Sequence, residues 1–220
     1  MSRRTFAIIA ISWIAQAAGA QESMDARRAG KREFLPRSHE IALARSAAPA
    51  NIGDSATIYV FTESGFVVAE RGTNGAACYV SRSWPTSIEP HCFDAVGAAS
   101  IMRIHMREVE LLHRGLTPEA AQREMAPDIL SGKLRLPEKP AMSWMFSAEQ
   151  QLIGDTGEPA GRWRPHIMIY YPYLAPMPGG DGGAPTFLGG MVSGAGTSQS
   201  SIIIPVSEFV HVKHKPPESR

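Results

Sequence analysis

The reactive side chains of this chain are few, and their spacing limits the chemistry open to them. Cys78 and Cys92 are the only cysteines. In an oxidising compartment they form a disulfide; the rival reading makes Cys92, which follows His91, a thiolate nucleophile. Adjacent side chains in an extended segment point apart, so His91 is a poor base for Cys92 and a partner such as His166 would have to arrive from elsewhere. His166 stands at the head of RPHIMIYYPYL, a stretch otherwise built from Ile, Met and Tyr. As a strand, this stretch puts His166, Met168 and Tyr170 on one side and Ile167, Ile169 and Tyr171 on the other. His166 is then expected at the strand's mouth, where it can meet solvent. Met168 and Tyr170 beneath it would form an apolar wall with imidazole and hydroxyl handles, a surface suited to a small ligand. The plainer alternative is a strand-end histidine hydrogen-bonded to a neighbouring loop.

Met102, His105 and Met106 share one helical face with His113 at its margin, a set of soft ligands that could hold copper. Methionine filling gaps on a core-facing stripe explains them equally well. His211 and His214 lie in a basic tail, and neither cluster has zinc-type spacing. No G-x-S-x-G, HExxH, Walker or dinucleotide pattern occurs. Asp94, Glu108, Asp128 and Asp155 show no pairing that the sequence certifies as a glycosidase-type pair. The motifs therefore name no metal, no cofactor and no catalytic residue.

The elements that must position these residues follow from periodicity. ATIYVFT, GFVVAER and ACYVSR are β-rich runs, predicted as three antiparallel strands over 56–62, 66–72 and 77–82, with Asn74-Gly75 as a hairpin turn. SHEIALARSAAP reads as a short helix capped by Ser38 and resting on the outside of the domain. Asp94 is placed to cap a helix running to about Arg114, ended by Gly115. Its Ile101, Met102, His105, Met106, Val109 and Leu112 share one arc, with Arg103, Arg107, Glu110 and Arg114 opposite. Thr117-Pro118 starts a second helix that Pro127 ends or kinks, and Gly132 closes the segment. AMSWMFS, HIMIYYPYL and SSIIIPV return as strands, with TFLGGMV a weaker one. Strands, helices, then strands describe an α+β domain with a mostly antiparallel sheet.

The chain opens MSRRTFAIIAISWIAQAAGA. Arg3 and Arg4, the apolar run Phe6 to Ala15 and the small residues Ala18-Gly19-Ala20 come in the order of a secretory signal peptide ending before Gln21. Ser2-Arg3-Arg4-Thr5-Phe6 is similar to a twin-arginine export signal. Residues 21–36 read as a flexible arm, 37–210 as one domain and 211–220 as a flexible tail. Without its leader the chain holds 20 basic and 21 acidic side chains, a net of −1. No basic field attracts nucleic acid or anionic lipid, and no later segment approaches the ~18 apolar residues of a membrane span. Ala175 to Ser200 holds 8 of the 20 glycines and 3 of the 17 prolines. It reads as a surface excursion or a movable cover for a pocket behind His166.

RGTNGAACYVSRSW, EPHCFD, PAMSWMFS and RPHIMIYYPYL together resemble segments of a group of exported bacterial proteins to which no activity is assigned. The resemblance spans most of residues 38–206. It implies an exported single domain and transfers no catalytic residue. The sequence thus leads to an exported α+β domain, periplasmic or extracellular, that binds a small, partly apolar ligand. The alternatives are a periplasmic hydrolase using His166 or the Cys92 region, and a copper-binding protein.

Overall fold

The computed structural model describes residues 24–154, 157–176 and 191–213. The leader, and most of the glycine-rich segment proposed as a cover, lie outside the described residues. The centre of the fold is an eight-stranded sheet ordered β2-β1-β3-β4-β5-β8-β10-β9. Its strands are β1 (Thr57–Thr62), β2 (Gly65–Glu70), β3 (Ala77–Ser81), β4 (Glu89–Phe93), β5 (Ala141–Met145), β8 (His166–Tyr170), β9 (Met191–Ser193) and β10 (Ser201–Pro205). A two-stranded ribbon, β6 (Leu152–Ile153) and β7 (Pro159–Gly161), interrupts the run from β5 to β8. All pairs in the large sheet are antiparallel except β1 with β3. Residues 24–28 are helical, and the helices that follow are α1 (Arg37–Ser46), α2 (Ala50–Gly53), α3 (Ala95–Ala99), α4 (Ile101–His113) and α5 (Pro118–Leu130). The result is α+β, and no helix among the described residues is long and apolar enough to cross a membrane.

The parallel β1–β3 pair corrects the expected three-stranded meander. After β2 the chain does not turn back at Asn74-Gly75 into a hairpin but crosses the start of β1 and re-enters on its far side. The Thr73 N–H donates to Ser55 O at 2.8 Å, and the Thr57 N–H donates to Ala76 O at 2.8 Å. Gly72 makes this crossing: a Cβ there would lie 2.3 Å from Ala56 C and Thr57 N, backbone atoms that cannot move aside.

The two faces of the sheet carry different cores, as period-two alternation requires. Ile58, Cys78, Val80 and Cys92 pack with Leu43 and Ala44 of α1 and with Ala47 just after it. Tyr59, Tyr79, Phe93 and Tyr170 pack with Ile101, Met102, Ile104 and Leu112 of α4, and with Met125 of α5. Helix α1 therefore covers one face of the sheet, with Glu40, Leu43, Ala44 and Ser46 buried beneath it and Arg37, Ser38 and His39 exposed, and it begins after Pro36 with no side-chain cap from Ser38. Its weak apolar stripe hid this because Glu40, on the buried side, is satisfied by a charge. Arg82 Nη2 lies 2.9 Å from Glu40 Oε1, with both side chains 1% exposed, and the Phe61 N–H donates to the same oxygen at 3.0 Å. Such a pair costs desolvation that its hydrogen bonds must offset, and breaking one partner leaves the other charge buried.

Within residues 21–36, read as a flexible arm, Arg32 is an anchor. Arg32 is 2% exposed and donates to the carbonyls of Arg28, Gly30 and Arg82. Its backbone N–H donates to His113 Nδ1 at 2.9 Å. Burial, with Arg28 nearby, lowers the Arg32 pKa to about 10. The expected long helix from Asp94 is two helices. Asp94 caps α3 through Gly97 N–H, as its position implies, but Ser100 leaves the helical region and its hydroxyl donates to Val96 O at 2.6 Å. A serine that bonds back to the preceding turn competes with the helix ladder. Thr117 and Pro118 start α5 as read. Pro127 does not end it, because its exposed position leaves the freed carbonyl facing water, and α5 continues to Leu130.

Cys78 and Cys92 form the expected disulfide, with S–S 2.04 Å. It joins two neighbouring strands, β3 and β4, at a directly paired position and not the entrance of a helix. Alkylation under denaturing, non-reducing conditions should find no free thiol. Opening this 14-residue loop by Cys78→Ser/Cys92→Ser should cost about 3 kcal/mol in the denaturant midpoint analysis.

Candidate functional site

Strand register assembles the site. β5 pairs with β8 so that Met145 lies opposite His166, Ser143 opposite Met168 and Ala141 opposite Tyr170. β8 pairs with β10 so that Met168 faces Ile203, and β10 with β9 so that Ile203 faces Met191. On the other side Tyr79 pairs with His91, and Phe93 with Ser143. Alternation sends all of these to the α4 face. Tyr79, His91, Met145 and His166 therefore form one lateral row, and Phe93, Ser143, Met168, Ile203 and Met191 form the next. The helices crowd over β1 to β5. β8, β10 and β9 extend the same face beyond them, and the step between helix layer and open sheet leaves a cavity of about 320 Å³.

His166, Met168 and Tyr170 all line this cavity, together with His91 from β4 and His105 and Glu108 from α4. The structure corrects the position of His166. It is 4% exposed and not at a solvent-facing rim, and its Nδ1 lies 2.8 Å from Arg164 O. The plain reading of a strand-end histidine tied to a neighbouring backbone group holds, and the same ring also faces the cavity. The Tyr170 hydroxyl lies 3.2 Å from Met168 Sδ. His91, expected only as a poor base, is buried with Nε2 2.8 Å from Ser143 Oγ. Its ring packs on Phe93 at 4.4 Å and faces His105 at 6.1 Å, while His105 meets Tyr170 edge-on at 5.7 Å.

The electrostatics follow from burial. Desolvation holds His91 well below the usual imidazole range, with His105 and His166 adding to the effect. It lowers His105 to about 4 and lowers His166, although the Arg164 carbonyl works against the shift. The three rings are therefore neutral at neutral pH, each with one donor and one acceptor nitrogen. Desolvation also raises the Tyr170 and Tyr79 phenols, keeping them as donors. Glu108 is raised by burial, and by Glu89, against the opposing pull of Arg28 and Arg32. Glu89, whose Oε1 accepts from the Ser83 N–H at 3.1 Å, lines the cavity with Arg28 and Trp163. The sequence missed Glu89, Arg28 and Trp163. The one available signal was alternation in EPHCF, which puts Glu89 and His91 on the same side.

The other expected sites disperse. Cys92 Sγ is bound to Cys78 on the opposite face, so a Cys92 thiolate is excluded in the oxidised protein. Ser143 is within hydrogen-bond reach of His91, but it is fully buried and does not line the cavity. Met102 and Met106 of the helical Met–His–Met face are core residues, and only His105 reaches the cavity. His211 is exposed beside Glu149, and His214 lies outside the described residues. Among the described residues no three His, Cys, Asp or Glu side chains are grouped to hold a metal ion. A second hollow, about 340 Å³, lies between α1 and residues 210–213. Its charges are already paired, Lys213 with Asp54 at 2.9 Å and Arg45 with Glu70, so it offers less chemistry. Comparison with protein-family models, curated proteins and solved structures finds no match to this chain.

Burial of His166 changes the expected effect of removing it. His166→Ala should cost about 2 kcal/mol, the same order as Met168→Ala, when denaturation curves of the two variants are compared. The neutral histidines also set a pH dependence. Their folded pKa values lie below the unfolded value, so the unfolded chain takes up protons first as pH falls. The stability held by the neutral rings is complete above about 6.5 and is lost toward about 4, where His105 itself titrates. Glu108 and Glu40, both raised, act in the opposite sense. A comparison with His105→Gln cancels their share. The wild type's stability relative to that variant should fall between pH 6.5 and 4, by up to about 1.4 kcal/mol per pH unit. A pH-independent difference would refute a neutral His105.

Proposed function

We propose that this protein is an exported domain that binds a small, partly apolar, uncharged ligand in the His91–His105–His166 cavity. The observation that carries the reading is the composition of one wall. Met145, Met168, Met191 and Ile203 supply apolar surface, and three neutral imidazoles with the Tyr170 hydroxyl supply hydrogen-bonding points among them. Cavities of about this size with a few convergent polar groups are the usual form of small-molecule sites. Neutral rings favour a ligand that both donates and accepts over one that carries a charge. Export is supported by the leader's order of charge, apolar run and small residues. A disulfide suits an oxidising compartment.

One observation favours a second reading, a periplasmic hydrolase. Glu108, raised by burial, faces the same cavity as Glu89 and the histidines, and raising a carboxyl's pKa shifts it toward the role of a general acid. That version relies on Glu108 and the imidazoles and makes no use of Cys92.

The test is a ligand-observed NMR screen of the oxidised protein against uncharged compounds of about 10–20 non-hydrogen atoms. Hits are expected, and Met191→Trp should abolish them by filling the cavity from the edge strand. Hits that survive Met191→Trp, or a screen with none, would sink the proposal. Time-dependent conversion of a hit, lost in Glu108→Gln, would select the hydrolase.

A further inference from the structure

The cavity does not end at the histidines. His105, Glu108, Met168, Tyr170 and Ser193 are also walls of an adjoining groove of about 620 Å³. This groove runs between α5 and the open half of the sheet, past Gln122 and Gln199, to Leu130 and Tyr173. A compact ligand would use only the first part; the shared walls make one elongated cleft of the two.

Three features identify what fits such a cleft. Its two ends carry exposed aromatic rings, Trp163 at 47% beside the histidine cavity and Tyr173 at 65% in the groove. Tyr173 is the one non-glycine residue among the described residues with positive φ, at 61°, and is fixed there by its N–H donating to Thr197 O at 2.8 Å. A large side chain held in that sparsely populated region points from strain toward function. Aromatic faces left open in this way suit the apolar C–H faces of sugar rings. The lining between the ends is polar and carries charges of both signs. Neutral imidazoles, amides and hydroxyls predominate, and Arg28 stands against Glu89 and Glu108. The Tyr79 hydroxyl, buried beside Ser81 just below this surface, completes no hydrogen bond of ordinary geometry. Finally, the cleft lies on a sheet face. The backbone groups of β8 are taken by β5 and β10 on either side, so an extended peptide lying across β8 would find no main-chain ladder to join there.

We infer that the cleft binds an extended, uncharged, polyhydroxylated chain, an oligosaccharide, with one sugar ring in the histidine cavity and the following units along the groove to Tyr173. This rests on the reading of the cavity as a ligand site and names the ligand class. Hydroxyl groups that donate and accept match neutral imidazoles and amides, and alternate apolar ring faces match the terminal aromatics.

Calorimetric titration of the full oxidised chain tests it, using di- and tetrasaccharides of glucose and of N-acetylglucosamine, with tetra-alanine as the peptide control. A tetrasaccharide should bind at least tenfold tighter than its disaccharide. Tyr173→Asn, which keeps a residue tolerant of positive φ but removes the ring, should erase that gain. Met191→Trp should weaken both. Failure of every saccharide to bind, equal affinity for the two lengths, an unaffected gain in Tyr173→Asn, or preference for tetra-alanine would each overturn the oligosaccharide assignment. Hits from the small-compound screen that remain sensitive to Met191→Trp would then leave the cavity as a ligand site for another class.

Discussion

The register of β3 against β4 is the constraint on which the rest of the structure depends. Cys78 and Cys92 are paired across these strands and bonded through their sulfurs on the α1 side. Because side chains alternate, fixing those two residues on one face fixes Tyr79, His91 and Phe93 on the other. A slip by one residue would exchange the two faces, putting His91 under α1 and the sulfurs in the cavity. The covalent link makes that slip impossible without breaking a bond. β5, β8 and β10 then inherit the register through their own ladders, and with it the rows that bring Met145, His166, Met168 and Ile203 to the same surface.

The charged groups perform a similar task for the outer elements. Glu40 and Arg82 fasten α1 to the sheet, and Arg32 ties the preceding segment to carbonyls at the start of the domain and after β3. Each is a long polar side chain at a position where an apolar stripe would ordinarily be read. Their contribution to net stability is limited by desolvation, but they define where α1 and the arm must lie. The cavity gains from this, since Arg28 comes to its wall opposite Glu89 and Glu108.

The histidines illustrate how burial sets chemistry. Among the described residues the ring nitrogens of His91 and His166 meet Ser143 Oγ and Arg164 O and no carboxylate. Desolvation therefore outweighs the one opposing influence, the Arg164 carbonyl on His166, and the rings stay neutral. The same low polarity raises the Glu108 carboxyl and the two phenols. Around the three imidazoles and the Tyr170 phenol the site therefore offers uncharged donors and acceptors, while Arg28, Glu89 and Glu108 line another part of its wall.

The sequence by itself determined what depends on local pattern and on covalent possibility. The α+β class, strands at 57–62, 65–70, 77–81, 141–145, 166–170 and 201–205, the Asp94 and Thr117 caps and the single disulfide were all legible, because alternation, capping chemistry and a lone cysteine pair are properties of neighbouring residues. The grouping of His166, Met168 and Tyr170 on one wall was legible for the same reason. Tertiary structure alone decided that β1 and β3 run parallel, since the turn-like Asn74-Gly75 says nothing of which side of β1 the chain re-enters. It also buried Glu40 of α1 and Arg32 of the arm, whose shared partner Arg82, by its guanidinium and its carbonyl, lies far away along the chain. Above all, it brought Glu89, His91, His105 and Glu108 to His166. Those residues come from β4, α4 and β8, and only the order of strands in the sheet and the placement of α4 across it set the distances between them.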